Sequence, residues 1–488
     1  MTIISRGGAL SVTGRVIGFD GTYLQIESPY GPLTLNYAQV TCSGTACPNP
    51  QSHIPVVRMS GAAQMADVLI PALIDGYARA QGWRSALRQL GPTRLRIELS
   101  DDNGVVGVFS VHGTTSDEGF ADLIAFQSDM ALSTREVSPT ELALGHEVGL
   151  GALDSALQSR IVGLDALVPV ISAQNNVGDV SLSELAGIMA GAITDWGALG
   201  GNDAPITLHL GSQRNGQVQF LATVLGAEPT AGAIHHDTTA DMAAAVARDP
   251  DGLGIGSLGE TGVAAPVALS DACGFISAPR VAALKAQDYP LTAPLFIYLP
   301  EWRLHPVARG FLSFLRTPAA QLIVRRAGFV DQGAVPVPLD AQGQRFVSAI
   351  AAAGPEIQLP ELQRMVRILT ALTRQSVSFR FEVGSTRLDA GSRSNLTLLA
   401  QRIKDGAYAG RALWLVGFSD GRGDALANSD LSSARAEAVK SDLLDLLGAL
   451  PEGVTLETEA FGEALPMGCD DTEWGRQMNR RVELWVSE

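Results

Sequence analysis

Polar and apolar residues alternate over Ser11-Val-Thr-Gly-Arg-Val-Ile-Gly-Phe19 and again over Tyr23-Leu-Gln-Ile-Glu27, with Phe19-Asp-Gly21 as a turn signal between them. That is the period of half-buried strands. Tyr30-Gly31-Pro32 turns the chain into Leu33-Thr-Leu-Asn-Tyr37, so residues 1–50 read as a small β unit of three or four strands with no catalytic constellation. From Ile54 the texture becomes strand then helix, repeated. Val56-Val-Arg-Met59 is a strand, Ser60-Gly61-Ala62 a tight turn, Met65 to Gln81 an amphipathic helix and Arg94 to Leu99 a further strand. The alternation runs to about Asp331 and closes in helices over Phe311–Leu315 and Ala319–Gly328. Val335-Pro-Val-Pro338, Gly343 and Gly354-Pro355, then an amphipathic Leu359 to Leu372, mark 333–370 as a helical connector. The remainder, 371–488, holds an apolar strand (Ala412–Val416), a Gly-punctuated loop carrying Asp420, and a helix. On that helix Asn428, Leu431/Ser432, Arg435 and Val439 share one face.

A carboxylate at a strand end and a guanidinium on the adjoining helix can flank one pocket, and such a pair suits a zwitterion. Arg435 can grip a carboxylate in bidentate fashion while Asp420 accepts from an ammonium. Taken alone, an Asp and an Arg at this separation are more often a surface ion pair. The surrounding residues reverse that preference. Asp420, Gly423, Asn428, Leu431-Ser432 and Arg435-Ala436, followed by Gly462-Glu463-Ala-Leu-Pro466 and Asn479-Arg-Arg-Val-Glu483, closely resemble the motif of the OmpA-like peptidoglycan-binding domain. The resemblance covers about 370–488 and implies an α+β fold. It also implies that Asp420 and Arg435 hold diaminopimelate of the cell-wall stem peptide, with Asn428 adding hydrogen bonds and Arg481 supporting the site.

The middle segment carries a second recognisable series: Leu164-Asp-Ala-Leu-Val-Pro169, Ile193-Thr-Asp-Trp196 with Gly200-Gly201, Asp249-Pro-Asp-Gly252, and Tyr289-Pro-Leu-Thr. Together these resemble the periplasmic phosphate-binding proteins of ABC transporters over 51–332. The resemblance implies a type II α/β two-lobed periplasmic-binding-protein fold that closes about a hinge on its ligand. The matching anion loops are Ser60-Gly61-Ala62-Ala63, Thr134-Arg135 and Arg214-Asn215-Gly216, making Ser60, Gly61, Thr134, Arg135, Arg214, Asn215 and Gly216 the candidate oxyanion residues. The family's second hydroxyl in the first loop and its hydroxyl pair in the third are missing here. Each unmade charge-assisted bond costs roughly 1.5–3 kcal/mol, so two losses weaken phosphate by more than about a hundredfold unless Arg214 compensates. An alternative is a two-lobed domain that has lost phosphate and only docks partners.

Composition narrows these readings. At 488 residues two to four domains are expected, and 46% hydrophobic with 18% charged residues is a globular balance. A net charge of −16 argues against nucleic acid, which needs Lys/Arg clusters. No run reaches the ~18–20 apolar residues of a membrane helix. No signal peptide is visible at Met1-Thr-Ile-Ile, although a wall-binding domain belongs in the periplasm, associated with the cell wall. Cys42 and Cys47 fit a local disulfide, whereas the state of Cys273 and Cys469 stays open. His235-His236-Asp237 is read as a lobe-surface loop and not a metal site, because adjacent side chains diverge. No nucleophile, base and oxyanion donors assemble, so neither an enzyme nor a cofactor is expected. The expected partners are peptidoglycan and a phosphate-like anion. An ABC permease as a further partner meets a geometric difficulty, since wall tethering restricts delivery to a membrane.

Overall fold

Gly14 divides the first alternating stretch in two, since a Cβ there would meet the Glu27 carbonyl oxygen at 2.5 Å. The N-terminal β unit is accordingly two three-stranded antiparallel sheets. One orders Ser11–Thr13, Thr2–Ser5 and Val40–Ser43; the other is the meander Arg15–Phe19, Tyr23–Ser28 and Gly31–Asn36. Ile3, Val12, Leu24 and Ile26 form its core. Cys42 and Cys47 are joined by a disulfide. The computed structural model describes residues 1–8, 10–19, 21–49, 54–212, 216–302, 304–354, 356–381, 385 and 387–487.

The chain forms two compact units. The first comprises Met1–Ser133, Val137–Leu153 and Ile297–Ala327, the second Thr134–Glu136, Asp154–Phe296 and Gly328–Glu488. In the first, Val56–Ala62 lies between two parallel neighbours, Met130–Ser133 and Gly104–Thr114. Arg94–Asp101 and Arg84–Gly91 extend the sheet antiparallel. The helix Ile70–Ala80 buries Ile70, Leu73, Ile74, Tyr77 and Ala78, the one-face spacing its sequence predicts.

The second unit begins with its own lobe. Ser159–Ile171 pairs antiparallel with Gly252–Ser257, and Thr207–Leu210 and Ile234–His235 continue in parallel. Trp196 anchors this core and donates its indole N–H to the Asp251 carbonyl at 2.9 Å. The C-terminal domain is a four-stranded sheet ordered Leu372–Arg380, Arg481–Ser487, Ala412–Phe418, Thr455–Ala460. Helices Ala390–Lys404 and Ala425–Leu447 cover one face, packing Leu399, Ile403, Val439 and Leu443 on Leu413, Leu415 and Leu484. The other face is equally apolar. Val416, Phe418 and Trp485 are covered by Phe346, Ala349, Leu362 and Met365 from helices Leu339–Ala352 and Leu359–Leu369. The stretch expected as a connector thus contributes half of the sheet's packing, because its strands alternate two apolar sets and neither face can be left to water.

Within this unit the second lobe is fixed to the C-terminal domain by polar contacts. Lys285 Nζ of the lobe donates to the carbonyl of Gly333, in the segment leading to that domain, at 2.7 Å. Asp288 takes Arg374 at 2.8 Å and Arg380 at 3.0 Å. Cys273 and Cys469, left unassigned by the sequence, form a disulfide.

Candidate functional site

The C-terminal site grows from the end of the Ala412–Phe418 strand. Gly417 lets the following helix lie directly on that strand, since a Cβ would meet the Ser432 carbonyl oxygen at 2.1 Å. Gly423 turns the loop through φ +99°, a conformation that favours glycine. Asp424 then caps the helix, accepting from the Leu426 and Ala427 N–H groups at 3.0 and 3.2 Å. Of the predicted face, Asn428, Ser432, Arg435 and Val439 are buried, whereas Leu431 is exposed.

On this frame Asp420 accepts from Arg480 Nη1 at 2.9 Å and from the Arg422 N–H at 3.2 Å. Arg435 is 3% exposed, and its guanidinium carbon lies 5.2 Å from the centre of the Phe381 ring. Its Nε and Nη1 have no hydrogen-bond partner among the described residues. Burial and the like charge of Arg480 lower its pKa, while the nearby Asp420 carboxylate opposes that shift. Asn428 donates to Glu463 Oε2 at 2.6 Å. Burial raises the Glu463 carboxyl, as do the neighbouring charges of Glu356, Asp470 and Asp420, against the Asn428 bond. The surrounding loop is held by Asp470, whose Oδ2 accepts the Gly421 N–H at 2.7 Å and whose Oδ1 accepts Asn479 Nδ2 at 2.9 Å.

Arg481, expected to support the site, lies inside the domain. It is fully buried, donating to Glu483 Oε1 at 2.7 Å and to the Leu465 carbonyl at 2.9 Å, with its guanidinium 4.4 Å from the Phe418 ring. Burial pushes its pKa down to about 10. It supports the sheet from inside and offers nothing to a visitor. Its neighbour Arg480 reaches Asp420 and also Glu473 Oε1 at 2.7 Å. Consecutive residues at a helix-to-strand junction point apart, so only one of the two arginines can face the loop.

The oxyanion candidates are less uniform. Ser60 and Gly61 sit at the end of the Val56–Ala62 strand, and a helical run begins directly after it at Ala63. The Ser60 hydroxyl already donates to Asp122 Oδ2 at 2.5 Å. Gly61 adopts φ +137° with the Leu132 carbonyl oxygen 2.0 Å from where a Cβ would stand. Thr134 is buried just after the Met130–Ser133 strand, and Arg135 Nη1 donates to the Glu136 carbonyl at 2.9 Å. Arg214 and Asn215 lie outside the described residues, and Gly216 opens the Gly216–Leu225 helix. One residue on, Gln217 donates to Asp165 Oδ2 at 3.4 Å, and Ser257 donates to Asp165 Oδ1 at 2.6 Å. Burial pushes the Asp165 carboxyl up to about 6. Sequence reasoning passed over this group, because a lone Asp in an apolar strand gives no spacing signal. His236 stands 3.0 Å from His209 Nδ1, and His209 Nε2 stands 3.1 Å from Asp249.

Residues 84–318 match the PBP superfamily domain and residues 380–480 the OmpA family. Over 110 residues the chain is 31% identical to the Probable lipoprotein YiaD of Escherichia coli, covering 22% of this chain and 47% of that protein. Over 115 residues it is 29% identical to Outer membrane porin F of Pseudomonas aeruginosa, covering 24% of this chain and 32% of that one. The chain therefore spans less than half the length of these curated relatives. Among solved structures it is similar to an ABC-type phosphate transport receptor from Vibrio cholerae (18% identity, TM-score 0.45, 56% of this chain and 99% of that one). It is also similar to a possible phosphate binding protein from Planctomyces limnophilus (18%, TM-score 0.44, 62% and 100%). Both matched families are families of binding proteins, and they put the chain among periplasmic and envelope proteins. No helix among the described residues is long and apolar enough to cross a membrane.

Proposed function

The chain joins a PBP superfamily domain to an OmpA family domain, and on that premise we propose that it is a periplasmic protein that holds peptidoglycan non-covalently through its C-terminal site. The observation that carries this reading is Arg435: a guanidinium with two unpartnered N–H groups, 3% exposed, beside a carboxylate. A buried cation left short of acceptors is unfavourable by itself, and the carboxylate of diaminopimelate would supply them. Asp420 would take the ammonium at the other pole, already oriented by Arg480 and the Arg422 N–H. Asn428, held by Glu463, lines the same helix face. Pull-down with purified diaminopimelate-type peptidoglycan tests the clamp. Arg435→Ala and Asp420→Ala should each abolish retention, and undiminished retention of both would refute it.

For the two-lobed domain the proposal is a small phosphate-like oxyanion, supported by the loop resemblance at Thr134, Arg135 and Gly216. A second reading, in which the domain takes no phosphate and docks partners instead, is favoured by the Ser60 hydroxyl, which is committed to Asp122. Calorimetry with inorganic phosphate separates them: a binding heat supports the first, and its absence at millimolar phosphate supports the second. Coupling to an ABC permease belongs to the first reading only.

A further inference from the structure

We propose that the second lobe is a working part of the wall site: Asp271 and the Cys273–Cys469 cross-link act as positioning residues for the loop that carries Asp420. The inference rests on the peptidoglycan reading above and names what holds that site in shape. Asp271 stands at the tip of the hairpin formed by Ala268–Ser270 and Ile276–Ser277. Its Oδ1 accepts the N–H groups of Cys273 and Phe275, both at 3.0 Å, which folds the tip and presents Cys273. Its Oδ2 accepts the Cys469 N–H of the C-terminal domain at 2.7 Å. Cys469 is thus gripped twice by the lobe, once through its amide and once through sulfur, across 196 residues of sequence.

The next residue passes that restraint to the candidate site. Asp470 takes the Gly421 N–H at 2.7 Å on one oxygen and Asn479 Nδ2 at 2.9 Å on the other, while its carbonyl accepts Arg476 Nη1 at 2.6 Å. Gly421 directly follows Asp420. The helix Glu473–Asn479, whose end delivers Arg480 to Asp420, also rests on Cys469: a Cβ on Gly475 would meet the Cys469 carbonyl oxygen at 1.8 Å. Two of the supports of the Asp420 loop, the Gly421 amide bond to Asp470 and Arg480, therefore hang from the segment that Asp271 and Cys273 fix. A domain binding the wall on its own has no need of an acceptor and a covalent bond from a neighbouring lobe placed at the root of its binding loop.

The test uses the full chain and a stem tripeptide ending in meso-diaminopimelate. Affinity is measured by calorimetry and amide exchange by mass spectrometry, for the wild type, C273S/C469S, D271N and D420A. The double serine variant and D271N should each bind about tenfold or more weakly, the loss of roughly one charge-assisted hydrogen bond. The Gly421 amide should exchange faster in both, while amides of the Ala412–Phe418 strand keep their protection. D271N leaves the cystine intact and so guards against a folding defect in the double variant. If both bind within about twofold of wild type while D420A loses binding, the positioning role is overturned and the clamp stands. If D420A binds like wild type, the clamp falls and this inference with it.

Discussion

Glu483→Gln removes the charge at the centre of the C-terminal domain while keeping its volume. The carboxylate is fully buried; it receives Arg345 Nη2 at 2.5 Å, Arg481 Nε at 2.7 Å and the Trp485 indole N–H at 3.0 Å, and it is ion-paired with Arg374, whose Nε lies 3.1 Å away. Arg374 and Arg380 also share Asp288, so four guanidiniums meet two carboxylates in this cluster. The glutamine variant leaves one carboxylate for the same four. Removing one partner of a buried ionic cluster costs about 3–5 kcal/mol, and glutamine, which still accepts one bond, belongs near the lower end. At about 2–4 °C per kcal/mol for a domain of this size, the midpoint should fall by roughly 6–12 °C. Calorimetry together with Trp485 fluorescence reads the change. Burial pushes the Glu483 carboxyl up, but Arg345, Arg374 and Arg481 outweigh it and hold it well below the usual carboxylate range. A carboxyl whose folded pKa is depressed gives stability that is present above its unfolded value of 4.5 and is lost as pH falls toward the folded one. Wild-type stability should therefore decline below about pH 4.5 and the variant's should decline less. A midpoint shift under about 2 °C would refute the reasoning, by showing that the guanidiniums do not depend on this carboxylate.

The Asp165 carboxyl is raised to about 6 by burial, so its contribution is complete below 3.8 and is lost as pH rises through 6; Asp165→Asn should flatten that part of the stability profile in urea titrations at pH 4 to 8. His236 is shifted down by burial and by His209, so its contribution is present above 6.5 and fades as pH falls; His236→Asn should remove that slope, and an unchanged slope would assign it elsewhere. Gly417→Ala should destabilise the C-terminal domain by about 1–3 kcal/mol through overpacking against Ser432, measured by chemical unfolding.

Much of the C-terminal site was legible because local rules wrote it. A helical face leaves its mark at fixed spacing, and Asn428, Ser432, Arg435 and Val439 all lie where that spacing puts them. The role of Arg480 was not legible, since its sequence neighbour Arg481 looks equivalent until a helix-to-strand junction sends the two apart. The Arg345–Glu483 and Arg380–Asp288 pairs join residues far apart along the chain, and no periodicity announces them. The same holds for Asp271, whose decisive acceptor contact crosses to another domain.

The segment between the second lobe and the sheet has a mechanical consequence. Val330 pairs with Leu164, the Val335 N–H bonds the Ser376 hydroxyl, the Val337 N–H bonds the Arg374 carbonyl, and the two helices that follow are absorbed into the sheet's own interior. No slack is left to pay out. If the C-terminal site holds peptidoglycan as proposed, whatever the lobe carries is mounted on a bracket and not on a leash, so its heading relative to the murein mesh would be set by the fold, whereas a loose tether would fix only its reach.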